Sequence, residues 1–193
     1  MVDYKPAKLV ELVKTTVFCK PKQKINVLGV EGIFMKIKLD MLDKQIIDLL
    51  TEDGRMSCTD IAERIGDVTE RVVRYRLSRL FEKEVIAVSA IVDPSKIGFP
   101  VVADVFVEVE PGQVIELAQK LAEFENVTYV ACATGTRDIS VQIVAHDNRD
   151  LYDFVTETLG RLPGVRRTTT SIVPRIIKDD ARWRIPESVI KGR

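Results

Sequence analysis

Thr69-Glu70-Arg71-Val72-Val73-Arg74-Tyr75-Arg76-Leu77-Ser78-Arg79-Leu80-Phe81 is the stretch whose reading decides the fold. Wound as a helix at about 100° per residue, it gathers Val73, Leu77 and Leu80 on one face. Arg71, Tyr75, Ser78 and Arg79 fall on the opposite face, with Arg74 on its flank. From Arg71 to Leu80 there are four arginines and no acid. Arg76 lies about 60° from the centre of the apolar stripe, which predicts an ion pair with an acid of the first helix, Asp43 or Asp48. Two shorter apolar-periodic segments precede this helix, and a β-rich run, residues 85–92, follows it. Three short helices, the last carrying arginine outward, and then a β ribbon make a winged helix-turn-helix. The outer face of its third helix suits the major groove of double-stranded DNA.

The flanking helices can be placed by their caps. Asp40 caps a helix to about Asp53 that buries Leu42, Ile46, Leu49 and Leu50, and Gly54 ends it. Ser57-Cys58-Thr59-Asp60 fits the Ser-x-x-acid capping pattern for a helix burying Ile61, Ala62 and Ile65. Thr69 caps the arginine-bearing helix, and residues 85–92 provide the wing and a connecting strand.

Beyond Asp93-Pro94-Ser95-Lys96-Ile97-Gly98, a run dense in turn formers, the periodicity changes. Val101, Ala103, Val105, Val107 and Val109 alternate with Val102, Asp104, Phe106 and Glu108, the signature of a half-buried strand. Val114, Leu117, Ala118, Leu121 and Phe124 mark a helix, residues 127–134 a second strand and residues 139–145 a third. Leu151, Phe154, Val155, Leu159 and Leu162 mark a second helix, and residues 165–176 a fourth strand. The order is β-α-β twice, an α+β chain with a ferredoxin-like βαββαβ sandwich behind the helix-turn-helix. One sheet face takes the helices; the other reads as apolar enough to want a partner, which predicts a homodimer.

The expected division is therefore residues 1–36 as an extension, 37–92 as the DNA-binding domain with its connecting strand, 93–178 as the sandwich and 179–193 as a tail. The tail is basic, with Trp183 as its only large anchor. Residues 1–36 are the least legible, and read either as a partner-binding extension or as an addition ahead of Met35.

Composition narrows the function classes. The chain has 193 residues, 46% hydrophobic and 30% charged, as ordinary globular proteins have. No uncharged run approaches a membrane span, and Glu11 and Lys14 interrupt the only stretch resembling a leader. Three scattered cysteines without a CxxC pair suit a reducing cytoplasm and argue against a disulfide frame or a zinc site. The zero net charge hides regional differences: residues 37–84 hold 9 Lys/Arg against 11 Asp/Glu, and residues 85–164 hold 5 against 12. Basic charge is thus focused on one helix, so a single copy should hold DNA weakly and a pair should do better.

The ordered motifs Leu39-Asp40-x-x-Asp43-x-x-Ile46, Asp53-Gly54-Arg55, Ile61-Ala62 and Val73-x-x-Arg76-Leu77-x-Arg79-Leu80 come first in a longer series. Asp93-Pro94 through Gly98, Gly135-x-x-Asp138 and Leu162-Pro163-Gly164-Val165 complete it. Together they resemble the leucine-responsive/asparagine regulator (Lrp/AsnC, feast/famine) family over about residues 37–178. The resemblance implies a winged helix-turn-helix joined to a ligand-sensing domain that dimerises, often into octamers, and responds to amino acids. The turn Gly66-Asp67-Val68-Thr69 is one residue longer than the family's usual Gly-Leu-Ser. Residues 1–36 have no counterpart in the family pattern.

Two sets of site residues follow. Arg71, Arg74, Tyr75, Ser78 and Arg79 form the expected DNA-facing set, Arg to read guanine or clamp phosphate, Tyr and Ser to position the backbone. A solvated charged face would use the same residues. The expected effector set is Thr134, Gly135, Thr136 and Asp138. Gly135 allows close backbone approach, the threonines supply hydroxyls, and Asp138 suits an ammonium group. The same residues also suit a plain β-hairpin turn. His146, the single histidine, reads as a strand-end surface residue. No catalytic constellation, metal site or cofactor motif is legible. The alternative function is an enzyme on the same two-domain plan, as in relatives that decarboxylate sirohaem. One histidine and an excess of acid in residues 85–164 argue against a tetrapyrrole pocket.

Overall fold

A computed structural model describes residues 37–178 and 183–191; the expectations for residues 1–36 lie outside it. The described chain divides into two compact units. One runs up to Ala90 and takes in the C-terminal segment from Lys178; the other is Ile91–Ile177.

In the first unit, helix α1 spans Met41–Glu52. Asp40 caps it by accepting from the Asp43 N–H, and the Asp43 side chain returns a bond to the Asp40 N–H, so two orphan donors are satisfied reciprocally. Helix α2, Cys58–Ile65, starts with the same device built from Ser57 and Asp60. Helix α3, Glu70–Glu82, begins at Thr69, whose hydroxyl accepts from the Val72 N–H. Ile46, Ile61, Ala62 and Val73 form the fully enclosed centre, with Leu42, Leu49, Ile65 and Leu77 packed around it. Each helix supplies its apolar stripe, as the periodicity requires.

The wing differs from expectation. Residues 85–92 enter no strand, so the β ribbon predicted from their composition has no ladder here. β-branched residues favour a pleated surface only where a partner strand exists, and a lone two-stranded hairpin is marginal in water. The segment instead passes over the end of α1: a Cβ on Gly54 would lie 3.2 Å from Val88 Cγ1.

The second unit opens with a 3₁₀ turn, Pro94–Ile97, capped by Asp93. Strand β1 is Val101–Val109, helix α4 Val114–Leu121, strand β2 Val127–Cys132 and strand β3 Ile139–Ala145. Helix α5, Asn148–Asp153, runs on as a π-helical turn, Phe154–Thr158, and a 3₁₀ turn, Leu159–Arg161, before strand β4, Val165–Ile172. Strands β2 and β4 are therefore shorter than the predicted 127–134 and 165–176. All neighbours are antiparallel in the order β2-β3-β1-β4, the ferredoxin-like arrangement.

Alternation decides which face is covered. Ala103, Val105, Val107 and Val109 of β1 and Ile139, Val141 and Ile143 of β3 are buried with Leu117 and Leu121 of α4 and Leu151 and Leu159. The opposite face mixes apolar and polar side chains. Val102, Asp104, Phe106 and Glu108 stand there, with Gln142 Nε2 donating to Asp104 Oδ1 at 3.1 Å and the Arg137 guanidinium 4.0 Å over the Phe106 ring. Gly164, at φ +90°, turns the chain into β4 where a Cβ would lie 2.2 Å from Gln113 Oε1.

Candidate functional site

On α3 the structure splits the arginines into two groups. Arg76 Nη1 donates to Asp40 Oδ2 at 2.6 Å and Asp43 Oδ1 at 3.2 Å, the ion pair with a first-helix acid that its helical angle predicts. Arg79 differs from its expected outward placement: its Nη2 donates to Asp43 Oδ2 at 2.5 Å. The cause is reach. A helical wheel fixes the direction of Cβ, whereas a long arginine stem can lie along apolar surface and carry its head to the neighbouring helix.

Asp43 is the single charged residue buried among those described, and it accepts from Arg76, Arg79 and the Asp40 N–H. A carboxylate so enclosed is tolerable only with charge and hydrogen bonds supplied together. For Asp40, burial pushes the carboxyl pKa up, but the Asp43 N–H and the Arg76 guanidinium outweigh it and the net shift is downward. Arg76 is correspondingly held above its ordinary value, chiefly by the hydrogen bond to Asp40.

The outward group is smaller. Tyr75 is 68% exposed, and Arg71 is exposed with no ion pair among the described residues. Arg74 is also exposed but pairs with Glu70 one turn back, which raises the Arg74 pKa and lowers that of Glu70. Sequence reasoning overlooked that acid, although i,i+4 spacing announces it. Ser78 is half-buried at the edge of this face, and Val72, 38% exposed, also lies outward. Arg71 and Tyr75 thus leave a cation and a phenol hydroxyl exposed side by side at the N-terminal end of α3.

In the second unit Thr134, Gly135 and Thr136 form the exposed tip between β2 and β3, and Gly135 has φ +133° with open space where a Cβ would stand. Asp138 is half-buried at its base. Its C=O accepts from the Ala133 N–H at 2.8 Å, and its own N–H donates to Val107 O at 3.0 Å. Its Oδ2 accepts from the Val109 N–H at 2.8 Å, where the β1–β4 register slips between Glu108 and Val109. Asp138 therefore ties the turn to the end of β1, a role the sequence did not reveal. Its Oδ1 has no hydrogen-bond partner among the described residues.

His146 stacks on Phe99 with ring centroids 4.1 Å apart and has Nδ1 2.7 Å from Gly98 O, holding the turn before β1 against the end of β3. Among the described residues no group of three or more His, Cys, Asp or Glu side chains is placed to hold a metal ion, and no helix is long and apolar enough to cross a membrane.

Residues 39–80 match the AsnC-type helix-turn-helix domain, and residues 102–183 match the Lrp/AsnC ligand binding domain. An uncharacterized HTH-type transcriptional regulator of Pyrococcus furiosus is 40% identical over 141 residues, covering 72% of this chain and 95% of its own. The HTH-type transcriptional regulator LrpA of Pyrococcus horikoshii is 33% identical over 141 residues, covering 72% and 99%. Among solved structures, a Neisseria meningitidis transcriptional regulator in complex with L-Met superposes with a TM-score of 0.71 at 24% identity, over 78% of this chain and 97% of that one. AsnC of E. coli gives 0.68 at 19% identity, over 75% and 99%. These likenesses agree with both halves of the described chain, the three-helix unit with its outward Arg71 and the β2-β3-β1-β4 sandwich: the protein belongs to the Lrp/AsnC family of helix-turn-helix transcriptional regulators.

Proposed function

We propose that this regulator binds specific double-stranded DNA sequences as a cytoplasmic homodimer, and that an amino acid bound by the second unit alters its DNA binding or assembly. The observation carrying the DNA reading is the division of labour on α3. Arg76 and Arg79 are tied to Asp43, while Arg71 and Tyr75 stand exposed beside the Glu70-paired Arg74. The first pair fixes the helix on its scaffold, and the second group is left to meet DNA. Ser78 lies beside them as a backbone-positioning hydroxyl.

Two copies would set their α3 helices in successive major grooves, about 34–36 Å apart. The proposed dimer contact is the sheet face around the half-buried Val102 and Phe106, where apolar side chains sit among pairable polar ones. The amino-acid reading is supported by the Neisseria relative in complex with L-Met and by the Thr134–Gly135–Thr136 tip above Asp138. A free amino acid needs N–H or hydroxyl donors for its carboxylate and an acceptor for its ammonium, and this turn offers both. The relatives' names support a regulator rather than an enzyme.

The test is selection of DNA from a random pool, followed by gel retardation across a range of salt, with and without a panel of amino acids that includes methionine. Retention of a defined sequence whose affinity shifts with one amino acid is the expected result. Salt-independent or sequence-independent retention would overturn the reading of α3, and an unresponsive panel would overturn the effector.

A further inference from the structure

Helix α1 ends badly on its own. Asp48 and Glu52 lie on its last turns, Asp53 follows, and the last turn carries no basic residue. Carbonyl oxygens gather at that end of a helix, so acids there repel the dipole and a cation is wanted. Lys44 meets only the far oxygen of Asp48, Oδ2, at 2.5 Å. Asp48 Oδ1 is buried without a hydrogen-bond partner.

Arg55 Nε lies 3.7 Å from Asp53 Oδ1 and Arg64 Nη1 3.8 Å from Glu52 Oε2, but neither reaches Asp48 Oδ1; the cation that does comes from the C-terminal segment. Arg184 Nη1 donates to the main-chain oxygen of Asp48 at 2.5 Å and lies 3.8 Å from Asp48 Oδ1, while its Nη2 lies 3.7 Å from Glu52 Oε1. A guanidinium suits this task because its planar fork can address a carbonyl and two carboxylates spaced i,i+4 at once. Trp183, expected as the anchor of the tail, is 58% exposed, so the anchor is its neighbour. Arg184 also lies just beyond residue 183, where the match to the ligand-binding domain ends.

We infer that the segment carrying Arg184 is a built-in strap for the helix-turn-helix: α1 presents Asp48 and Glu52 as a docking surface, and its partner is Arg184 of the chain's own C-terminal segment. The consequence follows from connectivity. The DNA-binding unit is joined to the ligand-binding unit at Ala90–Ile91 and again at Ile177–Lys178, and Arg184 is a point at which the second join grips α1. A unit held at both ends has fewer orientations to lose when two copies must meet two half-sites, so the strap pre-organises DNA binding. This consequence rests on the DNA-binding reading; the anchor does not.

The single tryptophan reports on the strap directly. In the full-length protein, fluorescence anisotropy of Trp183 should fall in Arg184→Ala and in Asp48→Asn/Glu52→Gln, and combining the changes should add nothing further. Unchanged anisotropy, or effects that simply add, overturns the anchor whatever happens with DNA. On pool-selected DNA, Arg184→Ala should lose several-fold in affinity, tolerate altered half-site spacing better than the parent, and keep the parent's salt slope. A slope reduced by about one would make Arg184 a phosphate contact and overturn the strap. Failure of the parent itself to bind DNA would sink the functional reading and leave the anisotropy result standing as the test of the anchor.

Discussion

Arg79 Nη2 lies 2.5 Å from Oδ2 of Asp43, a carboxylate only 1% exposed, so an arginine on the presumed DNA helix is committed to the scaffold of its own domain. Asp43 gathers Arg76 and Arg79 from α3 and the Asp40 N–H from the start of α1, and it thereby sets how α3 lies against α1. Removing the carboxylate leaves those donors facing each other. Asp43→Ala should destabilise the first unit by about 3 kcal/mol, the lower end for a broken buried pair because both arginines also reach solvent. Urea unfolding followed by helix circular dichroism checks this; a loss under about 1 kcal/mol would mean that the cluster behaves like a surface pair.

The same geometry separates the α3 arginines by phenotype. Arg71→Ala should weaken DNA binding by about 1–3 kcal/mol if it reads a base, or lower the salt slope by about one if it holds phosphate, with thermal stability nearly unchanged. Tyr75→Ala should act the same way more weakly. Arg76→Ala and Arg79→Ala should lower the melting temperature first and DNA affinity as a consequence. Equal behaviour of Arg71 and Arg79 in paired melting and retardation experiments would contradict the division.

Much of this was legible beforehand, and the exceptions have physical reasons. Caps at Asp40, Ser57 and Thr69 and alternation in β1 are local codes, so the helices and strands fall where the residues require. The placement of Arg79 depends on where α1 lies in space, which no periodicity within α3 contains. Residues 85–92 have strand composition but no ladder, because pairing needs a neighbour that sequence alone does not guarantee. A single helix expected across Leu151 and Leu162 changes pitch at Phe154–Thr158, where hydrogen bonds reach to i+5 and carry the apolar stripe off a constant angle. The Asp138–Val109 bond joins residues 29 apart and is equally invisible to local pattern.

Acid should act on the Asp40–Arg76 contact. The folded-state pKa of Asp40 lies below its ordinary value of 3.8, against burial and because of the Asp43 N–H and Arg76. A carboxylate with a depressed folded pKa contributes stability that is fully present above the unfolded value and disappears as pH falls through the folded one. Melting temperatures of the parent and Asp40→Asn should therefore differ at pH 6, begin to converge as pH falls past about 3.8, and meet only below the lower folded-state value. Parallel curves down to pH 2 would show that Asp40 contributes through capping geometry and not through its charge.

Asp138 requires two substitutions, since it has a structural bond and a proposed binding role on one side chain. Oδ2 accepts from the N–H of buried Val109, and Asp138→Ala would leave that donor without an acceptor, at a cost of about 1–3 kcal/mol. Loss of effector response in that variant would be ambiguous, because a loosened turn and a missing carboxylate predict the same result. Asp138→Asn separates them. The amide oxygen can still accept from Val109, while the negative charge proposed to hold the effector's ammonium is gone. The expected outcome is a melting temperature near that of the parent, DNA binding in the absence of effector retained, and amino-acid binding by calorimetry weakened at least tenfold, the order of one charge-assisted contact. Undiminished calorimetric binding by Asp138→Asn, with Asp138→Ala merely unstable, would reduce Asp138 to the post that ties the turn to β1 and move the effector elsewhere.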